Sequence, residues 1–119
     1  MDLIMWEIEF YEQPGSGCPV QEFLESLDKE RELPHVMYVF GLGEEKGNQL
    51  GLPHSRPLGD GLFEYRVSAN RKIFRFPYFF DHRNIVITHG LTKKTDKLPK
   101  RELEKAKKYR RSYLERRRK

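Results

Sequence analysis

The chain has one cysteine, Cys18, in 119 residues. No intrachain disulfide can form, which excludes the small secreted domains that are stapled by several bridges. No run approaches the roughly 20 apolar residues needed to cross a bilayer. The first ten residues, MDLIMWEIEF, carry acids where a signal peptide needs a basic start. A soluble, cytoplasmic protein with no membrane contact is expected. Positive charge is also scarce at first, since residues 1–50 hold 3 Lys/Arg against 11 Asp/Glu, a net of −8. Residues 51–119 hold 20 against 7, a net of +13, and +9 remains after the four terminal cations, Arg116, Arg117, Arg118 and Lys119, are removed. A basic tail alone does not account for this asymmetry, which predicts a cationic face for a polyanion such as nucleic acid. The length suits one domain, 1–119, with one modest core.

Periodicity supplies the elements. Ile4, Trp6, Ile8 and Phe10 alternate with Met5, Glu7, Glu9 and Tyr11, the period of a half-buried strand. After the turn residues 13–17, Val20, Phe23, Leu24 and Leu27 recur at helical spacing, so a short helix should begin at Pro19. Leu33, Val36, Met37 and Phe40 predict a second helix, frayed where Gly41, Gly43 and Gly47 follow. Residues 51–61, rich in Pro and Gly, read as a loop. Strands are expected over 62–68, 73–80 and 84–91, with Pro77 requiring an edge position or a bulge. From Pro99, Leu103, Ala106, Tyr109 and Tyr113 share one face of a last helix. The order β-α-α-β-β-β-α gives an α+β fold with helices packed on an antiparallel sheet.

Several chemistries lack their residues. The segment 41–47 is glycine-rich, but no strand precedes it, no Lys-Ser/Thr closes it and its acids would repel phosphate. His35, His54, His82 and His89 show no metal-ligand spacing, so no metal and no cofactor is expected. No serine sits in a nucleophile elbow. What remains is a set of cations at sheet positions: Arg66, Arg75 and, just past the third strand, Lys93 and Lys94. In a meander these can converge on one phosphate. Arg56, Arg71, Lys72, Lys97, Lys100 and Arg101 extend the positive surface as candidate RNA contacts, and His89 and His54 are the candidate acid or base groups. Each position has a plainer reading. Arg66 and Arg75 can pair with Glu64 or Asp81, the lysines can be solvated, His89 can be a core histidine, and most of the aromatics are core.

Three stretches resemble the phage-derived Gp49-like (HigB-like) branch of the RelE/ParE/HigB toxin superfamily. They are Arg56-Pro-Leu-Gly-Asp-Gly-Leu-Phe-Glu-Tyr-Arg66, then Phe74-Arg75-Phe76 with Tyr78-Phe-Phe-Asp81, and finally Ile85-Val-Ile-Thr-His-Gly-Leu-Thr-Lys-Lys-Thr-Asp-Lys-Leu-Pro-Lys-Arg-Glu-Leu-Glu-Lys-Ala106. The resemblance implies a RelE-like (microbial-RNase-like) fold, a cognate HTH-type antitoxin and metal-independent, ribosome-associated cleavage of mRNA. It puts the active-site cations on Arg66, Arg75 and Lys93 or Lys94. ParE-like relatives inhibit DNA gyrase instead, so a binding-only toxin, or an inactive RNA-binding relative, is the alternative. A DNA-binding regulator is a weaker third reading, because neither N-terminal helix suits a recognition helix.

Overall fold

Six strands and three helices build the molecule in the computed structural model, which describes residues 5–117. Strand β1 spans Glu7–Phe10; Ile4, the first residue of the predicted alternation, lies outside the described residues. Helix α1, Pro19–Glu25, starts at its proline as expected, because the missing N–H would have been unsatisfied there in any case. Helix α2 runs unbroken over Leu33–Lys46 and continues into a 3-10 turn at Gly47–Gln49. The predicted fraying does not occur. Val36, Val39, Phe40 and Gly43 form its buried stripe, and a Cβ on Gly43 would collide with the Tyr65 hydroxyl. The glycine permits close packing that outweighs its low helix propensity.

The expected loop over 51–61 is half strand: β2 covers Ser55–Gly59 and pairs antiparallel with β3, Leu62–Ala69. Asp60 and Gly61, at φ 54° and 77°, make the two-residue turn between them. Asn70 and Arg71, at φ 53° and 62°, do the same between β3 and β4, Lys72–Asp81. The third predicted strand is divided into β5, Asn84–Ile87, and β6, Leu91–Thr92, with 88–90 between them. Gly90 is wedged there against the rings of Phe23 and Phe76, both 2.7 Å from where its Cβ would lie.

The sheet order is β1-β5-β4-β3-β2, with β6 also on β4. β1 pairs parallel with β5, so the sheet is mixed rather than antiparallel throughout. Pro77 is not at an edge, because β4 has β3 on one side and β5 and β6 on the other. It stands opposite the gap between Ile87 and Leu91, where no ladder N–H is called for, and its carbonyl accepts from Thr88 N–H at 2.9 Å.

Helices α1 and α2 cover one face of the sheet over a core that includes Val36, Phe40, Tyr65, Phe74, Phe76 and Ile87. The last helix, α3 (Lys100–Arg117), packs Ala106, Tyr109 and Tyr113 against Tyr11, Leu62, Phe79 and Val86 on the other face. No described helix is long and apolar enough to cross a membrane.

Candidate functional site

Strand register brings the charged residues together. Arg66 on β3 is directly opposite Arg75 on β4, and Glu64 on β3 is directly opposite Arg56 on β2. Alternation places Glu64 and Arg66 on the same face of β3, and Arg75 is a cross-strand or diagonal neighbour of both. All four share the face on which α3 packs, beyond the apolar contact of that helix.

At the centre lies a buried ion pair. Arg75 and Glu64 are both fully buried, with Arg75 Nε 2.8 Å from Glu64 Oε1 and Nη2 3.0 Å from Oε2. A third donor, Arg75 Nη1, reaches the Thr95 carbonyl at 3.4 Å. The guanidinium fork that the sequence suggested for a phosphate is thus engaged inside the protein. Arg56 Nε closes on the same carboxylate at 2.6 Å, and its Nη2 donates to the Asp96 carbonyl at 2.9 Å.

Arg66 differs. Its Nε is 3.9 Å from Glu64 Oε2 and, although covered, has no hydrogen-bond partner. Its side chain keeps 24% of its surface exposed. One glutamate therefore faces three guanidiniums; Arg75 is fully buried, Arg56 and Arg66 both keep part of their surface exposed, and of those two only Arg66 lies beyond hydrogen-bonding distance of the carboxylate. Asp96, on the loop after β6, partly answers their excess charge. The Lys93 ammonium lies 3.0 Å from its carboxylate and, with Arg66 and Arg56 nearby, holds that carboxyl below its usual range.

Beside the cluster opens a cleft of about 400 Å³ bordered by Arg75, Lys93, Lys94, Thr95, Arg101 and Glu102. Lys93 is tied at its backbone, its N–H donating to the Ile73 carbonyl at 2.7 Å, and its side chain is largely covered. Lys94 is exposed and has no carboxylate in ion-pair range among the described residues. Glu102, in the first turn of α3, faces the buried ring of His89, whose Nε2 lies 3.0 Å from Glu102 Oε1. An ionised carboxylate only accepts, so Nε2 carries the ring proton and Nδ1 accepts at 2.9 Å from the Thr88 hydroxyl, whose single proton is shared with the Pro77 carbonyl at 3.2 Å. Burial, reinforced by Lys105, pushes the His89 pKa down to about 4 even though Glu102 pulls it up. Burial alone would raise the Glu102 pKa, but the hydrogen bond from His89 and the charges of Lys105 and Arg101 bring it below its ordinary value. At neutral pH the pair is neutral imidazole and carboxylate.

The other candidates are spread more widely. His54 borders a different hollow, which it shares with Arg66, His35 and Tyr38; Arg66 does not line the cleft of Lys93, Lys94 and Glu102. Lys72 is at the β3–β4 hairpin tip, where its ammonium meets Glu32 at 2.9 Å. Arg71 is exposed in the same turn. Lys97, Lys100 and Arg101 are exposed along the loop and the start of α3, where Lys105 and Lys108 extend the positive surface one and two turns further. Sequence reasoning missed those two lysines, though their spacing from Arg101 is helical. It missed Asp96 and Glu102 as well. Glu102 comes three residues after Pro99, but only the tertiary fold reveals its contact with His89.

Among the described residues no three His, Cys, Asp or Glu side chains gather as a metal site requires. Comparison with curated proteins finds no match. A family model does: that of the family described as "Phage derived protein Gp49-like (DUF891)" matches residues 22–111, a span from α1 into α3 that holds the charged cluster and its cleft. The chain belongs to this phage-derived Gp49-like family, within the RelE/HigB-like toxin superfamily.

Proposed function

We propose that this protein is the toxin of a type II toxin–antitoxin system and a metal-independent endoribonuclease that cuts mRNA on the ribosome. Family membership supports the toxin. The observation that carries the RNA-directed chemistry is Arg66: its side chain is partly exposed and its covered Nε has no hydrogen-bond partner, beside two other arginines that share a single glutamate. Such a group is ready to accept a phosphate, and charge-assisted contacts of this kind fix orientation as well as supply energy.

RNA cleavage without a metal requires stabilisation of the crowded phosphorane and an in-line 2′-hydroxyl. In this reading Arg66 holds the scissile phosphate, with Lys93 and Lys94 adding positive charge from the cleft. Arg75 acts from beneath by holding Glu64, and so the strand geometry, in place. Lys97, Lys100 and Arg101 track the flanking backbone, while Lys72, already paired at the far hairpin, contributes little. The HTH-type antitoxin would silence the protein by covering the surface between Arg66 and Lys94, because acidic side chains docked there would compensate its cations and exclude RNA together.

The test is to induce the chain in cells, map new 5′ ends in mRNA and assay DNA supercoiling. Cuts inside translated frames are the expected result. Altered supercoiling without cuts would replace this reading with a gyrase-directed, binding-only toxin.

A further inference from the structure

From the contacts around the cleft we infer that Glu102 is the general base of the cleavage reaction, aimed by His89 behind it. This rests on the endoribonuclease reading above and adds the group which that reading leaves unassigned. The cleft shared by Arg75, Lys93, Lys94 and Arg101 has one carboxylate on its border, Glu102. Its side chain is 15% exposed, open enough to be reached and covered enough to be held. Oε1 accepts from His89 Nε2 at 3.0 Å, whereas Oε2 has only the looser approach of Arg101 Nε at 3.6 Å. One oxygen is therefore fixed and the other is available to a substrate hydroxyl.

His89 cannot act on the substrate itself. Its ring is buried, the edge of Tyr109 packs against it, and both nitrogens are engaged. It is a positioning residue. Thr88 holds the ring from behind and the ring fixes the carboxylate rotamer, so a base, its orienting partner and a third group stand in line. The titratable and charged groups facing Glu102 are the neutral His89 from the segment between β5 and β6, Arg101 and Lys105 from its own helix, and the cleft cations Arg75, Lys93 and Lys94. The cations keep it ionised, the form in which a carboxylate can accept a proton.

The step balances as a transesterification. Glu102 Oε2 takes the proton of the 2′-hydroxyl, O2′ forms a bond to phosphorus, and the P–O5′ bond breaks. The departing O5′ takes a proton from the Lys94 ammonium. The products are a 2′,3′-cyclic phosphate and a 5′-hydroxyl, and both side chains recover their protonation from water.

The experiment uses the full chain on a reporter mRNA carried by purified ribosomes, with an oxygen or a bridging sulfur at the 5′ leaving position of a mapped cut. Glu102→Gln keeps an acceptor for His89 and should stay folded with undiminished RNA affinity, while cleavage falls about 10²- to 10⁴-fold. Sulfur leaves without a proton, so Lys94→Ala should regain its rate on the sulfur substrate and Glu102→Gln should not. If Glu102→Gln cleaves as well as the unaltered protein, the assignment of the base is wrong and the endoribonuclease reading stands. Loss of RNA binding in step with cleavage, or rescue of Glu102→Gln by sulfur, also overturns the assignment. An unaltered protein that cuts neither substrate overturns both readings.

Discussion

The two faces of the sheet are built on opposite principles. Under α1 and α2, alternate residues of β3 and β4 supply Tyr65, Val67, Phe74, Phe76 and Tyr78, and rings interlock edge to face, as Phe40 does with Phe76 at 5.1 Å. Under α3 the intervening residues of the same two strands supply Glu64, Arg66 and Arg75. The first face releases apolar surface from water and is fixed by shape. The second buries charge, which is costly unless each group is paired, and so is fixed by hydrogen-bond geometry. One pair of strands thus carries a stabilising side and a chemical side, separated only by the alternation of the chain. The chemical side should tolerate conservative apolar changes nearby, but not loss of a charge partner.

The most direct way to break this contrast is Glu64→Ala. It strands Arg75 in the interior with no carboxylate and frees Arg56 as well. Removing one partner of a buried ion pair typically costs about 3–5 kcal/mol. Chemical denaturation should show a loss of that size. A loss below about 1 kcal/mol would mean that the pair is wet and behaves as a surface contact.

Arg66→Ala separates chemistry from stability on the same strand. The Arg66 side chain holds no structural hydrogen bond, so its loss should barely move the denaturation midpoint while cleavage drops by about 10²- to 10³-fold. Arg75→Ala should lower both together. If the two variants behave alike in both measurements, the distinction between a supporting and a substrate-facing arginine fails.

Much of this arrangement can be read from the chain before folding. The alternation in β3 and β4, the Pro19 and Pro99 helix starts and the Leu103–Tyr113 stripe are local patterns, and each forms as its period dictates. Asp60-Gly61 was also a local hairpin signal, hidden because the prolines and glycines around it read as loop. Other features depend on partners distant in sequence. Helix α2 holds Gly43 because Tyr65 needs the space, and Pro77 sits in a central strand because the neighbouring strand happens to break there. The cations were visible as a group, but their division into engaged and available was not, since it turns on which guanidinium reaches Glu64. Glu102 stayed hidden for the same reason.

The chemical face also carries a pH dependence on the acid side of neutrality. His89 has an ordinary pKa of 6.5 that burial lowers to about 4, so the unfolded chain takes up the proton first as pH falls. Its contribution to stability is complete above about 6.5 and is lost progressively toward 4, with a total of order a few kcal/mol. Glu102, depressed below its ordinary 4.5, adds its own loss only beneath that value. Melting temperature should therefore decline between pH 6.5 and 4.5, and His89→Gln should flatten that interval. An equally steep decline in the variant would assign the effect to other groups.

The smallest expected effect compares two lysines in the binding of RNA. Lys94, on the cleft, has no carboxylate partner among the described residues, whereas Lys72 lies at the β3–β4 hairpin tip with its ammonium on Glu32. Glu32 in turn accepts from the Asp28 N–H and the Asn70 amide, a hydrogen-bonded knot that holds its pKa down at about 2. A cation already neutralised in this way releases no counterion from RNA. Each phosphate contact to a single strand contributes about 0.7 to the slope of log affinity against log salt. Lys94→Ala should reduce that slope by about this amount. Lys72→Ala should leave it unchanged and weaken only the hairpin tip. Equal reductions for both would extend the RNA track across the hairpin, and the binding surface would then wrap around the β3–β4 edge rather than end at the cleft.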